Sequence, residues 1–299
     1  MPTERDIRRR MASVDNIRKI TRAMELIAVT RLRRARQRVL AARPYAEKMR
    51  QLLYELERRV APAGDHKVEE QEVLHPLLER RPVNRLGIVL LTTDRGLCGA
   101  LNSNTIRAAL QFVYERQNQG QQVELTVVGR KGLQVLRRRP VRVVAEFTTL
   151  GDYPTIQRVA PIARVAMDSF SSHQVDEVVL IYPRFVSTMR QEPAVAPLLP
   201  IHAAAGDEAA SGGTEVDFIY EPDPRAVLAA LLPRYVEVEV YQAVLELIAS
   251  EFAAKMVAMR NATDNASELS GDLRLGLNKA RQGRITREII EVSAGAGGG

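Results

Sequence analysis

The sequence is most constrained by two long heptad-spaced segments, one at each end of the chain. Between Thr3 and Arg43 there is neither proline nor glycine, and apolar residues recur about every 3.5 positions. This period is typical of a left-handed coiled coil, so the segment is predicted to be a helix that needs a partner helix. The predicted apolar seam consists of Ile7, Met11, Val14, Ile17, Ile20, Met24, Ile27, Leu32, Ala35, Val39 and Ala42.

The predicted first helix is longer than a compact domain requires. Thr3 and Asp6 have the spacing of a capping box, and the apolar pattern resumes after Pro44 through Met49 and Leu56. A helix of about 55 residues would be about 80 Å long at 1.5 Å per residue.

The last quarter of the chain repeats this pattern. No proline follows Pro233, and a helix is predicted from about Arg234 to about Val292, ended by Gly295 and the glycine-rich tail. We expect the two helices to pair antiparallel and the residues between them to form a separate body. The expected domains are 1–60, 61–225 and 226–299. The predicted seam of the second helix consists of Tyr241, Leu245, Ile248, Phe252, Met256, Met259, Ala266, Leu269, Leu273, Leu277 and Ala280.

The middle of the chain alternates short apolar runs with helical patterns. Such alternation is typical of a mostly parallel sheet, here a Rossmann-like α/β domain inserted between the two long helices. Residues 61–82 are predicted to be a linker, 203–214 a loop and 215–220 an edge strand. The other predicted strands are 85–92, 123–128, 141–147 and 177–182, and the predicted helices are 104–117, 132–138 and 155–171.

A glycine-containing loop follows the first predicted strand and includes Asp94, Arg95, Gly96 and Gly99. A strand-to-helix loop of this kind occurs in nucleotide-binding sites. The chain lacks both G-x-G-x-x-G and Gly-Lys-Ser/Thr here, so the loop is predicted to be structural. In that interpretation Asp94 pairs with Arg95, and Asn102 or Ser103 caps the next helix. No catalytic group, metal site or cofactor is predicted.

The charge of the chain is concentrated in its first helix. Residues 1–60 carry a formal charge of +10, against +7 for the whole chain. Arg33, Arg34 and Arg36 lie in the densest part. Three interpretations are open: a surface for phosphates, a surface for acidic protein loops, and a solvated helix face.

The cysteine count argues against a disulfide-stabilised protein, and the lengths of the apolar runs argue against a membrane-spanning one. Cys98 is the single cysteine, so no disulfide can form within the chain. No run approaches the roughly 18 apolar residues of a membrane span, and the first residues lack the pattern of a secretory signal. We expect any membrane association to be indirect.

Three blocks resemble the gamma subunit family of the rotary F-type ATP synthase. The first runs from Ile17 to Ala28, and the second is the loop from Thr93 to Gly99. The third begins at Tyr241, continues through 258–266 and ends in 278–289. The blocks occur in the family's order and span nearly the whole chain.

The resemblance implies a non-catalytic rotor shaft that couples proton flow to ATP synthesis or hydrolysis. The implied partners are the alpha and beta subunits of the catalytic hexamer, the epsilon subunit and the membrane c-ring. The implied location is peripheral, at the cytoplasmic face of a bacterial plasma membrane. Residues at family positions for contact with beta subunits are Met24, Arg281, Gln282, Thr286 and Glu288; Arg33, Arg34 and Arg36 are expected near acidic beta loops.

Two other functions remain as alternatives from the residues alone. The basic first helix is compatible with a nucleic-acid-binding coiled coil, which would bind with a steep salt dependence. Interleaved acids and scarce aromatic residues argue against it. A nucleotide-dependent enzyme built on the α/β body is opposed by the missing phosphate motif.

Overall fold

The computed structural model describes residues 3–60, 75–201, 221 and 223–296. The chain divides into two compact units. One, here called the helical unit, contains Met1–Arg31 and Lys255–Gly299, and the other, here called the sheet unit, contains Leu32–Ala254. The predicted loop 203–214, the predicted edge strand 215–220 and most of the predicted linker lie outside the described residues.

The predicted first helix is confirmed as α1, Glu4–Val60, with Pro44 inside it. Its first turn is the expected capping box. The Thr3 hydroxyl donates to Asp6 Oδ2 at 2.7 Å, and the Asp6 amide donates back to Thr3 Oγ1 at 3.3 Å. The Thr3 side-chain and backbone hydrogen bonds hold the pKa of Asp6 below its usual value. The cap satisfies amides that the first helical turn leaves without partners.

The second long helix, α5, spans Pro224–Ala296 and so begins about ten residues before the predicted start at Arg234. Pro233 lies inside it. Leu228 and Leu232 are fully buried, so apolar packing holds the turns that precede this proline. Asp223 caps the start of the helix, because its Oδ1 accepts from the Ala226 amide at 2.9 Å.

The inserted domain contains one five-stranded sheet with helices between its strands. The strands are β1 Arg85–Leu91, β2 Gln122–Val128, β3 Arg142–Phe147, β4 Glu177–Phe185 and β5 Gln191–Leu199. The helices are α2 Leu101–Asn118, α3 Arg130–Leu136 and α4 Ile156–Ser171, and a short 3₁₀ helix spans Pro76–Leu78. The order is β3-β2-β1-β4-β5, with β1 to β4 parallel, which confirms the predicted mostly parallel sheet.

The sequence interpretation missed β5, which pairs antiparallel with β4. Pro193 and Pro197 interrupt this strand, and proline argues against a central strand. An edge strand tolerates proline because one side of its backbone makes no ladder bonds. The side chains of β5 are mostly exposed or half-buried until Leu198 and Leu199, so it shows little apolar signal.

The core of the sheet unit is aliphatic. Strands β1 and β2 bury long apolar side chains against α2 and α3, with Leu86, Ile88, Leu90, Leu125 and Val127 each at most 1% exposed. In the same unit, α1 buries Leu32, Ala35, Val39, Ala46, Met49, Leu53 and Leu56. Arg50 on α1 donates to Glu239 on α5 at 3.1 Å, so the two helices also share a charged contact here.

Candidate partner-binding surface

The helical unit is an antiparallel pair of helix segments. Arg284 Nε lies 3.4 Å from a carboxylate oxygen of Glu4, and Arg260 Nε lies 3.7 Å from one of Glu25. Residue numbers therefore rise along α1 as they fall along α5. This confirms the predicted antiparallel coiled coil for the part of the chain in this unit.

The predicted seam is wrong at its centre. Ile17, Ile20 and Ile27 were assigned to it, but they are 53%, 59% and 52% exposed. The buried positions are Thr21 at 9%, Glu25 at 6% and Ala28 at 0%. On α5 the predicted seam residue Leu269 is 49% exposed, and its neighbour Ser270 is buried instead.

A continuous heptad repeat favours burial of these polar positions over the isoleucines. From Thr21 through Ala28, Leu32 and Ala35 to Val39 the buried positions of α1 alternate steps of four and three. A seam through Ile17, Ile20 and Ile27 would instead have two successive three-residue steps after Val14 and a five-residue step from Ile27 to Leu32. Such irregular steps locally overwind or unwind a coiled coil. The regular repeat therefore favours burial of the face that carries Thr21, Glu25 and Ala28, although Ile17, Ile20 and Ile27 are then left exposed.

Hydrogen bonds satisfy the polar groups that this seam encloses. The Thr263 hydroxyl lies 2.8 Å from that of Thr21, and Ser270 Oγ donates to Asp15 Oδ1 at 3.1 Å. Glu25 is bound from its own helix by Arg22 at 2.8 Å and faces Arg260 across the pair. We call the three cross-helix pairs, Thr21–Thr263, Glu25–Arg260 and Asp15–Ser270, the polar layer.

This seam leaves a row of large apolar side chains on the outside of α1. Ile17, Ile20, Met24 and Ile27 follow one another at three- and four-residue spacing and therefore share one side of the helix. The three isoleucines are exposed and Met24 is half-buried. We call these four residues the α1 stripe. A contiguous exposed apolar row of this kind is typical of a protein–protein contact.

The predicted contact residues near the end of α5 are also exposed. Arg281, Gln282, Thr286 and Glu288 all lie in a helical stretch, 281–290, with no buried residue. Thr286 Oγ1 donates to the Gln282 carbonyl at 2.9 Å, which places these two residues on one face as expected. Ile285, Ile289, Ile290 and Val292 are 40–73% exposed beside them.

The structure does not bring Met24 and the α5 residues into one site. Met24 adjoins Glu25, which is level with Arg260, and Arg281 lies 21 residues farther along α5. At 1.5 Å per residue this separation is about 30 Å. The predicted residues therefore mark two levels of one elongated surface.

Arg33, Arg34 and Arg36 belong to the sheet unit and are exposed on α1. Nearby Arg38 stacks its guanidinium 4.7 Å from the centre of the Tyr153 ring. Exposed arginines remain available for carboxylate or phosphate oxygens, which the planar guanidinium binds in pairs.

The loop after β1 is held by contacts that differ from those predicted. Asp94 does not pair with Arg95 as expected; its Oδ1 accepts from the Arg130 amide at 3.1 Å and its Oδ2 from the Thr149 amide at 2.9 Å. Arg95 approaches Asp152 at 4.0 Å. Asp94 thus joins the loops that follow β1, β2 and β3.

Helix α2 begins without the predicted side-chain cap from Asn102 or Ser103. Its N-cap is Ala100, and Asn102 turns back to the loop, donating to Thr93 Oγ1 at 2.8 Å and to Cys98 Sγ at 3.3 Å. Gly99 has a positive φ of 57°, which glycine adopts easily. A cavity of about 100 Å³ lies beside Asp94 and Arg95, well below the roughly 300–1,000 Å³ of ligand pockets.

Within the described residues, no group of three or more His, Cys, Asp or Glu side chains is placed to hold a metal ion. In the same part of the chain, no helix is both long and apolar enough to cross a membrane.

Comparison with known proteins identifies the family. The model of the family described as ATP synthase matches residues 3–298. The gamma chain of the ATP synthase of Dehalococcoides mccartyi strain BAV1 is 47% identical over 296 residues, 99% of each chain. That of Herpetosiphon aurantiacus is 45% identical over 302 residues, covering 99% of this chain and 98% of the relative. The chain belongs to the ATP synthase gamma chain family.

Solved structures support the fold of this gamma chain family member. A chain of the Euglena gracilis mitochondrial ATP synthase superposes with a TM-score of 0.65 at 20% identity, covering 98% of this chain and 93% of the other. A chain of the Tetrahymena thermophila central stalk and c-ring structure gives 0.58 at 23% identity, covering 81% and 99%.

Membership in the gamma chain family confirms the expected role, a non-catalytic rotor subunit of the F-type ATP synthase. It supports this role over the nucleic-acid-binding and nucleotide-enzyme alternatives. The two levels of exposed surface on the helical unit are therefore candidates for contact between the rotor and the subunits around it.

Proposed function

We propose that the helical unit turns inside the hexamer of alpha and beta subunits and contacts it through the α1 stripe and the exposed end of α5. The main support is the seam of the helical unit, which buries Thr21 and Glu25 and leaves Ile17 and Ile20 in solvent. Exposing two isoleucines while burying a carboxylate disfavours the isolated pair. A surrounding apolar lining would bury the isoleucines and so offset part of that cost.

In this proposal the chain couples proton flow to the catalytic sites without providing a catalytic group. Because its surface is asymmetric, each of the chemically identical beta subunits meets a different part of it at any moment. Contacts that differ between subunits bias each one toward a different state, and rotation exchanges these states.

The exposed polar residues near the end of α5 would orient the beta-subunit loops. Arg281 supplies a planar guanidinium for carboxylate oxygens, and Gln282 and Thr286 supply neutral donors and acceptors on an adjacent face. Glu288 lies seven residues beyond Arg281 and shares its face. Met24 would add a flexible apolar contact at the other level.

The arginines of the sheet unit would contact acidic loops. Arg33, Arg34 and Arg36 are exposed, and the excess positive charge of residues 1–60 favours a negatively charged neighbour. The loop containing Asp94, Arg95, Gly96 and Gly99 would be structural, since Asp94 ties three strand ends together.

We further propose that the sheet unit meets the epsilon subunit and the c-ring at the cytoplasmic face of a bacterial plasma membrane. The association would be peripheral and mediated by these subunits. The related Tetrahymena structure is of the central stalk and c-ring, and the related Euglena structure includes F1 and the c-ring. No cofactor is assigned to this chain.

Reconstitution tests the proposal. The full chain is mixed with alpha and beta subunits of its own source, and complex size and ATP hydrolysis are measured. We expect one copy of the chain per three alpha–beta pairs, and hydrolysis that falls at least about tenfold for Gln282→Ala combined with Thr286→Ala, as for lost hydrogen bonds to a charged or catalytic loop.

The matched control is Ser267→Ala, an exposed hydroxyl on the same helix that bonds its own helix at Thr263 O. Its hydrolysis rate should equal that of the parent. Absence of a complex, together with salt-sensitive binding of the chain to DNA, would refute the rotor surface and favour the nucleic-acid alternative.

A further inference from the structure

The polar layer lies where the sequence of α1 offers two alternative faces for burial. Along α1 of the helical unit, two adjacent faces compete for the seam. One carries Ile17, Ile20, Met24 and Ile27, and the other carries Arg18, Thr21, Glu25 and Ala28. The two faces differ by one residue, a rotation of about 100° of α1 about its own axis. Burial of apolar area alone favours the first face.

We infer that the polar layer is a positioning device: its three cross-helix pairs select the rotation of α1 in which the α1 stripe faces outward. Rotation to the apolar face would move Thr21, Glu25 and Asp15 away from Thr263, Arg260 and Ser270. The residues of the layer thereby present the stripe without being part of it.

The short distances within the pairs allow only one rotation of α1 about its axis. Thr263 Oγ1 meets Thr21 Oγ1 at 2.8 Å and also bonds the Met259 carbonyl of its own helix at 2.8 Å, so its position is fixed from both sides. Ser270 is 7% exposed and its hydroxyl lies 3.1 Å from Asp15. Hydrogen bonds of this kind tolerate displacements of a few tenths of an ångström, far less than a rotation of one residue requires.

The polar layer is as long as the α1 stripe. Asp15 and Glu25 are ten residues apart on α1, and Arg260 and Ser270 are ten residues apart on α5. At 1.5 Å per residue the layer spans about 15 Å, the same length as the stripe from Ile17 to Ile27. A single polar residue in an apolar seam is known to fix register at some loss of stability. Here three pairs act over the whole length of the surface to be presented.

Disulfide cross-linking of the full chain tests the inference. In a Cys98→Ala background, one reporter carries Thr21→Cys with Thr263→Cys, and the other carries Ile20→Cys with Thr263→Cys. The 2.8 Å between the native hydroxyls puts the first pair within reach of a disulfide. We expect the 21–263 pair to oxidise at least about tenfold faster than the 20–263 pair.

Removal of the remaining partners should release the helix. Arg260→Leu with Ser270→Ala leaves Glu25 and Asp15 without their partners on α5 and alters none of the reporter positions. We expect the ratio of the two oxidation rates to fall below about threefold, and a thiol at position 20 to become several-fold slower to react with a maleimide. The matched control is Arg274→Leu with Ser267→Ala, two exposed positions on the same helix, which should leave both rates unchanged.

Two outcomes would overturn the inference. One is an unchanged preference for 21–263 after the partners are removed. The other is loss of far-UV helicity together with both cross-links, which would mean that the layer holds the helices together without choosing between faces. The purpose of the stripe rests on the proposed function. Since these measurements use the chain alone, their failure is distinguishable from a failure of reconstitution.

Discussion

The sheet unit and the helical unit differ in the side chains buried at their centres. At the centre of the sheet, Leu86, Ile88 and Leu90 are almost fully buried. In the helical unit Thr21 and Glu25 occupy the seam, and isoleucines lie in solvent. Full burial of a Leu or Ile side chain stabilises a fold by about 1.5–3 kcal/mol, whereas a buried hydrogen bond contributes about 0.5–1.5 kcal/mol net. The sheet unit thus gains most of its stability from apolar burial within the chain, whereas the helical unit leaves large apolar side chains exposed.

If this contrast holds, close-packing defects in the sheet unit should have the largest effects. A Cβ added at Gly129, where φ is +92°, would lie 2.0 Å from the Thr92 carbonyl oxygen. We expect Gly129→Ala to lower the free energy of unfolding of the sheet unit by about 4 kcal/mol, from overpacking and backbone strain together. Urea denaturation followed by circular dichroism measures the loss.

Gly120→Ala provides the control for backbone strain alone. Gly120 has a φ of +83°, but its added Cβ would meet nothing within 4 Å. Its cost should be about 1 kcal/mol. Equal losses for the two variants would show that contact with Thr92 is unimportant.

A buried cation is the next strongest test of the sheet unit. The Arg81 side chain is 11% exposed and donates to the Phe170 carbonyl at 2.6 Å and the Val175 carbonyl at 2.9 Å. It also bonds His173 and stacks 4.3 Å from the centre of the Phe170 ring. We expect Arg81→Met to cost about 3 kcal/mol in urea denaturation, because the end of α4 loses its donors.

Arg85 is the matched comparison: both arginines contact the Asp176 carboxylate, Arg81 at 3.6 Å and Arg85 at 3.0 Å, but the Arg85 side chain is 43% exposed. Arg85→Met should cost less than about 1 kcal/mol, since solvent screens an exposed ion pair. A larger loss at Arg85 than at Arg81 would contradict the role assigned to burial.

The Asp176 carboxylate should make the stability of the sheet unit depend on pH. Burial alone would raise its pKa, but hydrogen bonds from the Arg85 side chain and from the Arg85 and Asn84 amides outweigh burial and hold the pKa below its usual value. A lowered folded-state pKa contributes stability above the unfolded value of about 4, and that contribution is lost as pH falls through the folded pKa.

Asp176→Asn removes this charge. We expect it to cost about 2 kcal/mol at pH 7, and the difference from the parent should shrink as pH falls below about 4. Urea denaturation at pH 7, 4 and 3 measures the trend. A difference independent of pH would mean that shape, and not charge, matters at this position.

The smallest effect on stability should come from the helical unit. Ile20→Gln replaces a 59% exposed side chain, so the free energy of unfolding should change by less than about 0.5 kcal/mol. Assembly with alpha and beta subunits should nonetheless weaken about tenfold, as for loss of an apolar contact residue. An unfolding loss above 1 kcal/mol would place Ile20 inside the seam and break the comparison.

Residue periodicity was sufficient to predict most of the fold. The 3.5-residue repeat identified both long helices, and the alternation of apolar runs with helical patterns identified β1 to β4 and α2 to α4. Periodicity failed to identify two segments that contain proline. Pro193 and Pro197 concealed β5, and Pro233 concealed the first turns of α5, because proline is tolerated at a sheet edge and where tertiary packing supports the helix.

The candidate surface was harder to predict, because hydrophobicity was used to choose between two adjacent faces. At Ile17, Ile20 and Ile27 the apolar face is the outer one. The available signal was the regular four–three spacing, which runs unbroken only through Thr21, Glu25 and Ala28. The predicted roles of Met24, Arg281, Gln282, Thr286 and Glu288 remain predictions, since they depend on partners and not on contacts within the chain.

The pairing of Thr21 with Thr263 also has a consequence for biosynthesis. The two residues are 242 positions apart, so α1 leaves the ribosome long before its partner exists. At 5–20 residues per second the delay is about 10–50 s. An isolated helix with a narrow seam is marginal in water, so the part of α1 in the helical unit must wait in a largely unfolded or chaperone-held form while the sheet unit folds. The order of synthesis therefore makes the coiled coil the last element to form.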